Sequence, residues 1–453
     1  MSKRYSHIVL GLGATGLSVV RYLCAQGVVP LVMDSRLAPP SADKLANNYP
    51  NVDLMAGEFD TRLLIQAEQI IISPGIALST PAISQAIQAG VEVVGDVELF
   101  ARALKAQSAS VLAITGSNGK TTVTTLVAEM AKVAGLNYSV GGNIGIPVLD
   151  LLMKPADLFI VELSSFQLET THSLQCIAAT CLNISEDHMD RYSSIEEYRQ
   201  VKLHLYAQSK AAFFNRDDIL TFTNKCEKLN SFGLDQPQED NWGLREGYVV
   251  KGDMPIMPVA DFALVGKHNQ ANIIAAMALA DKAGIEFNAM KQVAKTFLGV
   301  AHRCELISCI EGVQYINDSK ATNVGATLAA LEGLASLDGG IVLIAGGEGK
   351  GADFISLEKP LAKVKSLITL GRDGDKIGRL KAEHFPTQSM REAVRKASEI
   401  AVPGDIVLLS PACASLDMYD NFMVRGEDFK TEVLELAAKD VAKGQLFTEK
   451  QDA

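Results

Sequence analysis

Strand-length apolar runs alternate with helix-length amphipathic stretches along nearly the whole chain, which points to α/β domains built on parallel sheets. Twice, an apolar run feeds a glycine loop that opens a helix. His7–Leu10 leads into GLGATG at Gly11–Gly16 and a helical stretch from Leu17, and Val111–Ile114 leads into TGSNGKTT at Thr115–Thr122 and a helical stretch Val123–Ala134. The first set of runs includes Gln69–Ile72 and reaches about Gly95, followed by the helical stretch Asp96–Ala106. A second set holds Leu158–Val161, Ala179–Leu182 and a helix near Asn269–Ala283. A third begins around Ala301 and holds Val313–Ile316, Ile341–Ile344 and Ile406–Leu409. Leu234–Val259, with its three prolines, reads as turns and short strands. At about 150 residues per domain, 453 residues predict three domains, placed at 1–97, 98–299 and 300–453.

Composition narrows the partners. A hydrophobic fraction of 48% and a charged fraction of 21% describe an ordinary globular protein. The net charge of −11 argues against nucleic acid or an anionic membrane as a partner. Anionic small molecules stay open, since local basic groups and backbone N–H grip those. Seven scattered cysteines without a CxxC pair fit reduced thiols in a cytoplasm and no sulfur-bound metal. No apolar run reaches the roughly 18 residues of a membrane span, and MSKRYSHIVLG passes into a strand without a signal-type apolar region. A soluble cytoplasmic protein without membrane insertion is the expectation.

GLGATG fits a GxGxxG phosphate loop, and Asp34, ending the apolar run Pro30–Met33, stands where a ribose-binding acid would. By itself the loop is open to three readings: a redox dinucleotide, another nucleotide, or a structural turn. TGSNGKTT is more pointed. Its backbone N–H groups can wrap a triphosphate, Lys120 adds a cation near the β- and γ-phosphates, and the Thr121 hydroxyl can ligate Mg²⁺. The match to GxxxxGK[ST] is incomplete, because Ile114 holds the first glycine position, and the rival is a solvated Gly-Lys turn. Two phosphate loops in two domains suit an ATP-driven enzyme with a nucleotide-tagged substrate better than an NAD-linked oxidoreductase.

With the motifs that follow it, TGSNGKTT resembles the Mur ligase family, ATP-dependent amide-forming enzymes of peptidoglycan precursor synthesis. The likeness runs through VELSSFQLE at 161–169, NISEDHMDRY at 183–192, GKHNQAN at 266–272, His302-Arg303, DSKATN at 318–323, GGEGK at 346–350 and SPACASLD at 410–417. GLGATG, SPGIA at 73–77 and SPACASLD resemble the member that adds D-glutamate to UDP-N-acetylmuramoyl-L-alanine through an acyl phosphate. Another amide-forming ligase of the superfamily is the alternative, and a remote one is an NAD-linked oxidoreductase.

The resemblance implies an N-terminal Rossmann-like domain, a central P-loop ATPase-like domain with a mostly parallel sheet, and a C-terminal Rossmann-like domain. It implies ATP on Gly116, Ser117, Asn118, Gly119, Lys120, Thr121 and Thr122, with Asn269 and Asn272 at the adenine and Arg303 and Asp318 at the phosphates and ribose. Two Mg²⁺ ions would take Thr121, Glu162, His188 and Lys202, the last as a CO₂-derived carbamate. By helical pattern alone Lys202 reads as a solvated residue. Lys120, His188 and Lys202 are the implied catalytic set. Ala14, Thr15, Asp34, Ser35, Arg36 and Gly75 would hold UDP, and Asn143 the muramoyl part. His188, Thr322, Lys350, Ser415, Leu416 and Phe422 would hold D-glutamate. A monomer active in cell wall biogenesis, and so in cell shape and division, is expected.

Overall fold

A parallel strand followed by a helix must return across the sheet, so each apolar run becomes a buried strand whose C-terminal end carries a loop. The computed structural model describes residues 5–224, 226, 229–264, 266–334 and 339–448; residues 1–4, at the head of the segment read as free of a signal sequence, lie outside the described residues. The first sheet holds β1 (His7–Leu10), β2 (Leu31–Asp34), β3 (Asp53–Ala56), β4 (Gln69–Ile72) and β5 (Glu92–Val94), in the order β3-β2-β1-β4-β5 and all parallel. GLGATG leaves β1 where the strand order reverses, the position at which open α/β sheets bind ligands.

The second sheet holds β6 (Ser110–Thr115), β7 (Tyr138–Gly142), β8 (Leu158–Glu162), β9 (Ala178–Cys181), β10 (Ala212–Asn215) and β11 (Leu229–Phe232). Its order is β11-β10-β9-β6-β8-β7, again all parallel, so TGSNGKTT also leaves a strand at an order reversal. The proline-containing stretch forms a small antiparallel meander, β12 (Trp242–Arg245), β13 (Tyr248–Lys251) and β14 (Met254–Pro258). The third sheet holds β15 (Glu305–Ile310), β16 (Val313–Asn317), β17 (Ile341–Gly346), β18 (Ser366–Leu370), β19 (His384–Pro386) and β20 (Ile406–Leu409). Its order is β15-β16-β20-β17-β18-β19, parallel except for the edge hairpin β15–β16.

Alternation along the strands decides the cores. In β1, Ile8 and Leu10 face one apolar cluster, while Val9 faces another that continues through Phe100 to Val111, Phe159 and Val161 of the second sheet. The first two sheets therefore share one apolar layer. Helix Asp96–Leu104 sits in it, with Phe100 edge-on to Phe159 at 5.4 Å. Glu98 on that helix accepts from the N–H groups of His172 and Ser173 at 2.8 and 2.9 Å. Such a helix fastens the two sheets more firmly than a linker would.

By their packing, the described residues form two compact units. One comprises Met1–Ile184, Glu196–Asp261 and Ala271–Thr296; the other comprises Ser185–Ile195, Phe262–Gln270 and Phe297–Ala453. The loop after β9 thus packs with the C-terminal unit although its strand belongs to the central sheet.

Candidate active site

In the first loop, Gly13 precedes helix Ala14–Ala25, and beyond its own chain neighbours no described atom lies within 4 Å of where a side chain at Gly13 would begin. The helix N-terminus, with Ala14 exposed and Thr15 half-buried, is open to an anion. Asp34, at the end of β2, is buried and spends both oxygens inside the protein. Oδ2 accepts from Leu12 N–H at 2.7 Å and Arg36 Nη2 at 2.6 Å; Oδ1 accepts from Arg36 N–H at 2.9 Å and Nε at 2.8 Å. Hydrogen bonds from the Arg36 guanidinium, outweighing burial, hold the Asp34 carboxyl down at about 2. Asp34 therefore locks the loop to Arg36, whose side chain is 52% exposed and stands with exposed Ser35 toward solvent. Gly75, in the turn after β4, is likewise open.

The second loop is enclosed. At Gly116 (φ +141°) a side chain would meet Leu182 at 3.1 Å, and at Gly119 (φ +85°) it would meet Asn272 Oδ1 at 2.5 Å. The loop is tied to the end of β9 through Asn183, which accepts from Asn118 N–H at 2.7 Å and donates to Asn118 O at 3.0 Å. Ser117 Oγ lies 3.2 Å from the Tyr198 hydroxyl. Lys120, at the start of helix Lys120–Val133, donates to Gly116 O and Ser117 O, both at 2.8 Å. Thr121 Oγ1 donates to Glu162 Oε2 at 2.8 Å, and Asn143 Nδ2 donates to Oε1 at 2.8 Å. Glu162 is 1% exposed, and both donors to it, Thr121 and Asn143, are neutral. A buried carboxylate with neutral partners suits a hard cation beside it. Thr122 is also buried, its hydroxyl without a hydrogen-bond partner among the described residues.

Lys202 departs from the helical-pattern reading. Helix Ile195–Leu203 ends in a 3₁₀ turn, His204–Gln208, and Lys202 is 1% exposed. Its Nζ donates to Gly116 O at 3.0 Å and lies 4.6 Å from the Tyr198 ring centre. The solvated-face expectation fails because the buried partner is a loop 86 residues away, which no local periodicity reports.

In the C-terminal unit, the loops after β16, β17 and β20 carry Asp318, Thr322, Lys350, Ser415 and Leu416, while Arg303 precedes β15, Asn269 opens helix Lys267–Lys282 and His188 follows β9. Asp318 is buried, accepting from Ser410 Oγ at 2.9 Å and Cys304 N–H at 3.3 Å. Burial, opposed by the Arg303 charge, raises its carboxyl to about 6. Arg303 keeps its Nε buried and without a hydrogen-bond partner among the described residues. Burial and the Arg303 charge bring His268 down to about 4. Asn269 lies inside the first turn of helix Lys267–Lys282, past the cap position, and is buried. Lys350 (φ +51°) is ion-paired with Asp187, and His188 (φ +59°) follows it in the loop after β9. Thr322 is half-buried, Ser415 buried and Leu416 exposed, while Phe422 carries Lys320 Nζ 5.2 Å from its ring centre.

The residues thus gather into three clusters. Among the described residues, no three His, Cys, Asp or Glu side chains converge as a metal site. Of the four expected metal ligands, Thr121 and Glu162 meet directly, Lys202 joins the same loop as an amine, and His188 belongs to the other unit.

Family models match all three α/β regions: the N-terminal domain of MurD-like Mur ligases at 5–95, the Mur ligase middle domain at 114–280, and the Mur ligase glutamate ligase domain at 302–413. The chain belongs to the Mur ligase family. It is 66% identical to the UDP-N-acetylmuramoylalanine--D-glutamate ligase of Shewanella violacea over 94% of this chain and 95% of that one. To the ligase of the same name from Shewanella oneidensis it is 60% identical, over 96% and 99%. Among solved Mur ligase structures, UDP-N-acetylmuramate-alanine ligase from Thermotoga maritima matches with a TM-score of 0.60 at 17% identity, covering 95% of this chain and 99% of that one. MurF from Acinetobacter baumannii matches with a TM-score of 0.60 at 16% identity, over 95% and 92%. The Mur ligase architecture of three mostly parallel α/β domains is the one expected from the sequence.

Several residues that contact the candidate site residues carry no signal that a sequence reading picks out. Arg425 is 1% exposed; its Nε donates to Ser319 Oγ at 3.0 Å and its Nη2 to Ser319 O and Cys413 O at 2.8 and 3.1 Å. Burial lowers this guanidinium to about 10. It stitches the loop of Thr322 to the loop of Ser415. An arginine in a long helix carries no sequence signal for that. Asp187, Tyr198 and Asn183 were also missed, although Asp187 and Asn183 stand in NISEDHMDRY.

Proposed function

We propose that the protein is an ATP-dependent ligase that adds D-glutamate to UDP-N-acetylmuramoyl-L-alanine in the synthesis of the peptidoglycan precursor. The observation that carries it is the near full-length likeness, at 66% identity, to a relative bearing that ligase's name. A carboxylate and an amine do not condense in water unaided. The alanyl carboxylate attacks the γ-phosphorus of ATP, the bond to the β-phosphate oxygen breaks, and ADP leaves. The D-glutamate ammonium loses one proton to solvent, its nitrogen attacks the acyl carbon and the C–N bond forms; the nitrogen then sheds a second proton as the C–O bond breaks and inorganic phosphate leaves.

Phosphoryl transfer of this kind rests on positioning and charge. Lys120 supplies a cation to the β- and γ-phosphates, while backbone N–H groups from Gly116 to Thr122 hold them. Asn269 and Asn272 take the adenine, and Arg303 and Asp318 the phosphates and ribose. Thr121 and Glu162 would hold one Mg²⁺, which supplies positive charge to the phosphate oxygens. His188 and Lys202, as a carbamate, would hold a second. Burial of Lys202 beside the loop supports that role over a solvated one. His188 also orients the amino acid, whose carboxylates go to Lys350, Thr322, Ser415, Leu416 and Phe422. Ala14, Thr15, Asp34, Ser35, Arg36 and Gly75 hold the uridine diphosphate, with Asp34 acting through the loop it locks. Asn143 meets the muramoyl part from beside Glu162.

Among the described residues, no helix is long and apolar enough to cross a membrane. We place the enzyme in the cytoplasm as a monomer serving cell wall growth, and through it cell shape, division and the cell cycle. Phosphate release with ATP, Mg²⁺ and UDP-N-acetylmuramoyl-L-alanine tests the reading. D-glutamate should sustain release and L-glutamate should not; equal turnover of the enantiomers would overturn the assignment.

A further inference from the structure

Asp187 carries its carboxylate to the meeting point of three loops of the C-terminal unit. Oδ1 receives the Lys350 ammonium; Oδ2 accepts from Asn323 Nδ2 at 3.3 Å and lies 3.7 Å from His188 Nε2. The pair is enclosed: the side chains of Asp187 and Lys350 are 9% and 14% exposed. The three partners come from the loops after β16, β17 and β9, so one small group joins segments that no local signal connects.

Backbone geometry points the same way. His188 and Lys350 both hold positive φ, +59° and +51°, a region that non-glycine residues occupy only when their surroundings enforce it. A lysine ammonium rides on a flexible four-carbon stem and does not hold a fixed point by itself. Here the stem leaves a left-handed residue and its end is fixed by Asp187. The Gly349 N–H just before it donates to Asp373 Oδ2 at 2.7 Å, which fastens the loop from below.

We propose that Asp187 is a positioning residue of the amino-acid site: it fixes the Lys350 ammonium at the point where a substrate carboxylate is received, and ties His188 and Asn323 into the same constellation. The inference rests on the D-glutamate reading above and deepens it. An incoming carboxylate meets an ammonium already held and partly neutralised, so Lys350 selects by location more than by net charge.

Steady-state kinetics with the full-length enzyme test this, reading the apparent KM of each substrate in turn. Wild-type turnover of D-glutamate is established first; failure there overturns the ligase reading and this inference with it, and is distinct from any pattern among variants. Asp187→Asn should then raise the D-glutamate KM about tenfold or more, with the KM values for ATP and the uridine substrate within about twofold of wild type. In a Lys350→Met background, the same change should add no more than about twofold, because the interaction has already been removed. Asp187→Glu keeps the charge and should recover part of the lost affinity. Equal multiplication in both backgrounds, or a parallel rise in all three KM values, would assign Asp187 a general structural role and overturn the proposal. If Asp187→Asn does not fold, Asp187→Glu is read by the same split: a D-glutamate KM unchanged from wild type, or raised no more than the other two, overturns the proposal.

Discussion

The two glycine loops share one topology and differ in how they handle charge. Each leaves a parallel strand at an order reversal and opens a helix, so each presents backbone N–H groups to phosphate. Around GLGATG, the nearby acid Asp34 is neutralised by Arg36, and the rim at Gly13 stands open. Around TGSNGKTT, two lysines sit on the loop's carbonyl oxygens, and the buried Glu162 accepts from the neutral Thr121 and Asn143. A cradle for a bystander diphosphate needs shape and little uncompensated charge. A loop that moves a phosphoryl group needs cations, and acids to hold more of them. On the function proposed above, the same fold element serves binding in one place and reaction in the other.

The largest expected effect comes from stripping the reactive loop of its cation. Lys120→Ala should lower ligation by about 10²-fold or more, since a positioned charge acts on the transition state. The fold should persist, because Lys120 Nζ donates to carbonyl oxygens of its own loop. Phosphate release at saturating ATP measures it; near-normal turnover would erase the distinction between the loops.

Lys202→Ala should cost roughly tenfold or more in kcat, in line with loss of a charge-stabilising group. A small added carboxylate should restore part of the rate if Lys202 serves as a carbamate. Full activity in the variant would return this residue to a packing role.

These expectations also show what the sequence could carry. Apolar runs and glycine spacing are local signals, and they located most strands from which a candidate loop leaves; β7, which ends just before Asn143, is a short glycine-ended strand that they did not mark. The paired loops, Glu162 at the end of β8 and SPACASLD after β20 were legible in that way. Lys202, Asp187 and Arg425 were not, because each acts on a partner far along the chain. Lys202 reaches Gly116, Asp187 reaches Lys350, and Arg425 reaches Ser319. Edge strand β15 was missed for another reason. It is only half-buried and lacks the continuous apolar run of an inner strand. The packing of Ser185–Ile195 with the C-terminal unit is likewise a tertiary fact with no local trace.

A smaller effect probes the silent charge in the first loop. Asp34 is held at about 2 against an ordinary 3.8, so its ionic contribution is present above about pH 4 and fades as pH falls toward 2. Asp34→Asn should therefore destabilise the fold more at pH 7 than at about pH 3. Urea midpoints of both proteins at the two pH values measure this. A constant gap would mean that Asp34 acts by shape alone.

Calorimetric titration of two ligands against two proteins tests the division of labour most directly. Wild type and Gly13→Leu are each titrated with UDP-N-acetylmuramoyl-L-alanine and, separately, with ATP and Mg²⁺. A leucine at Gly13 fills the open approach to the helix N-terminus, so the uridine substrate should bind about tenfold more weakly or worse. ATP affinity should stay nearly unchanged, and NADH should not compete with the uridine substrate. Loss of ATP binding in the Gly13 variant, with the uridine substrate unaffected, would show that the two loops carry each other's ligands.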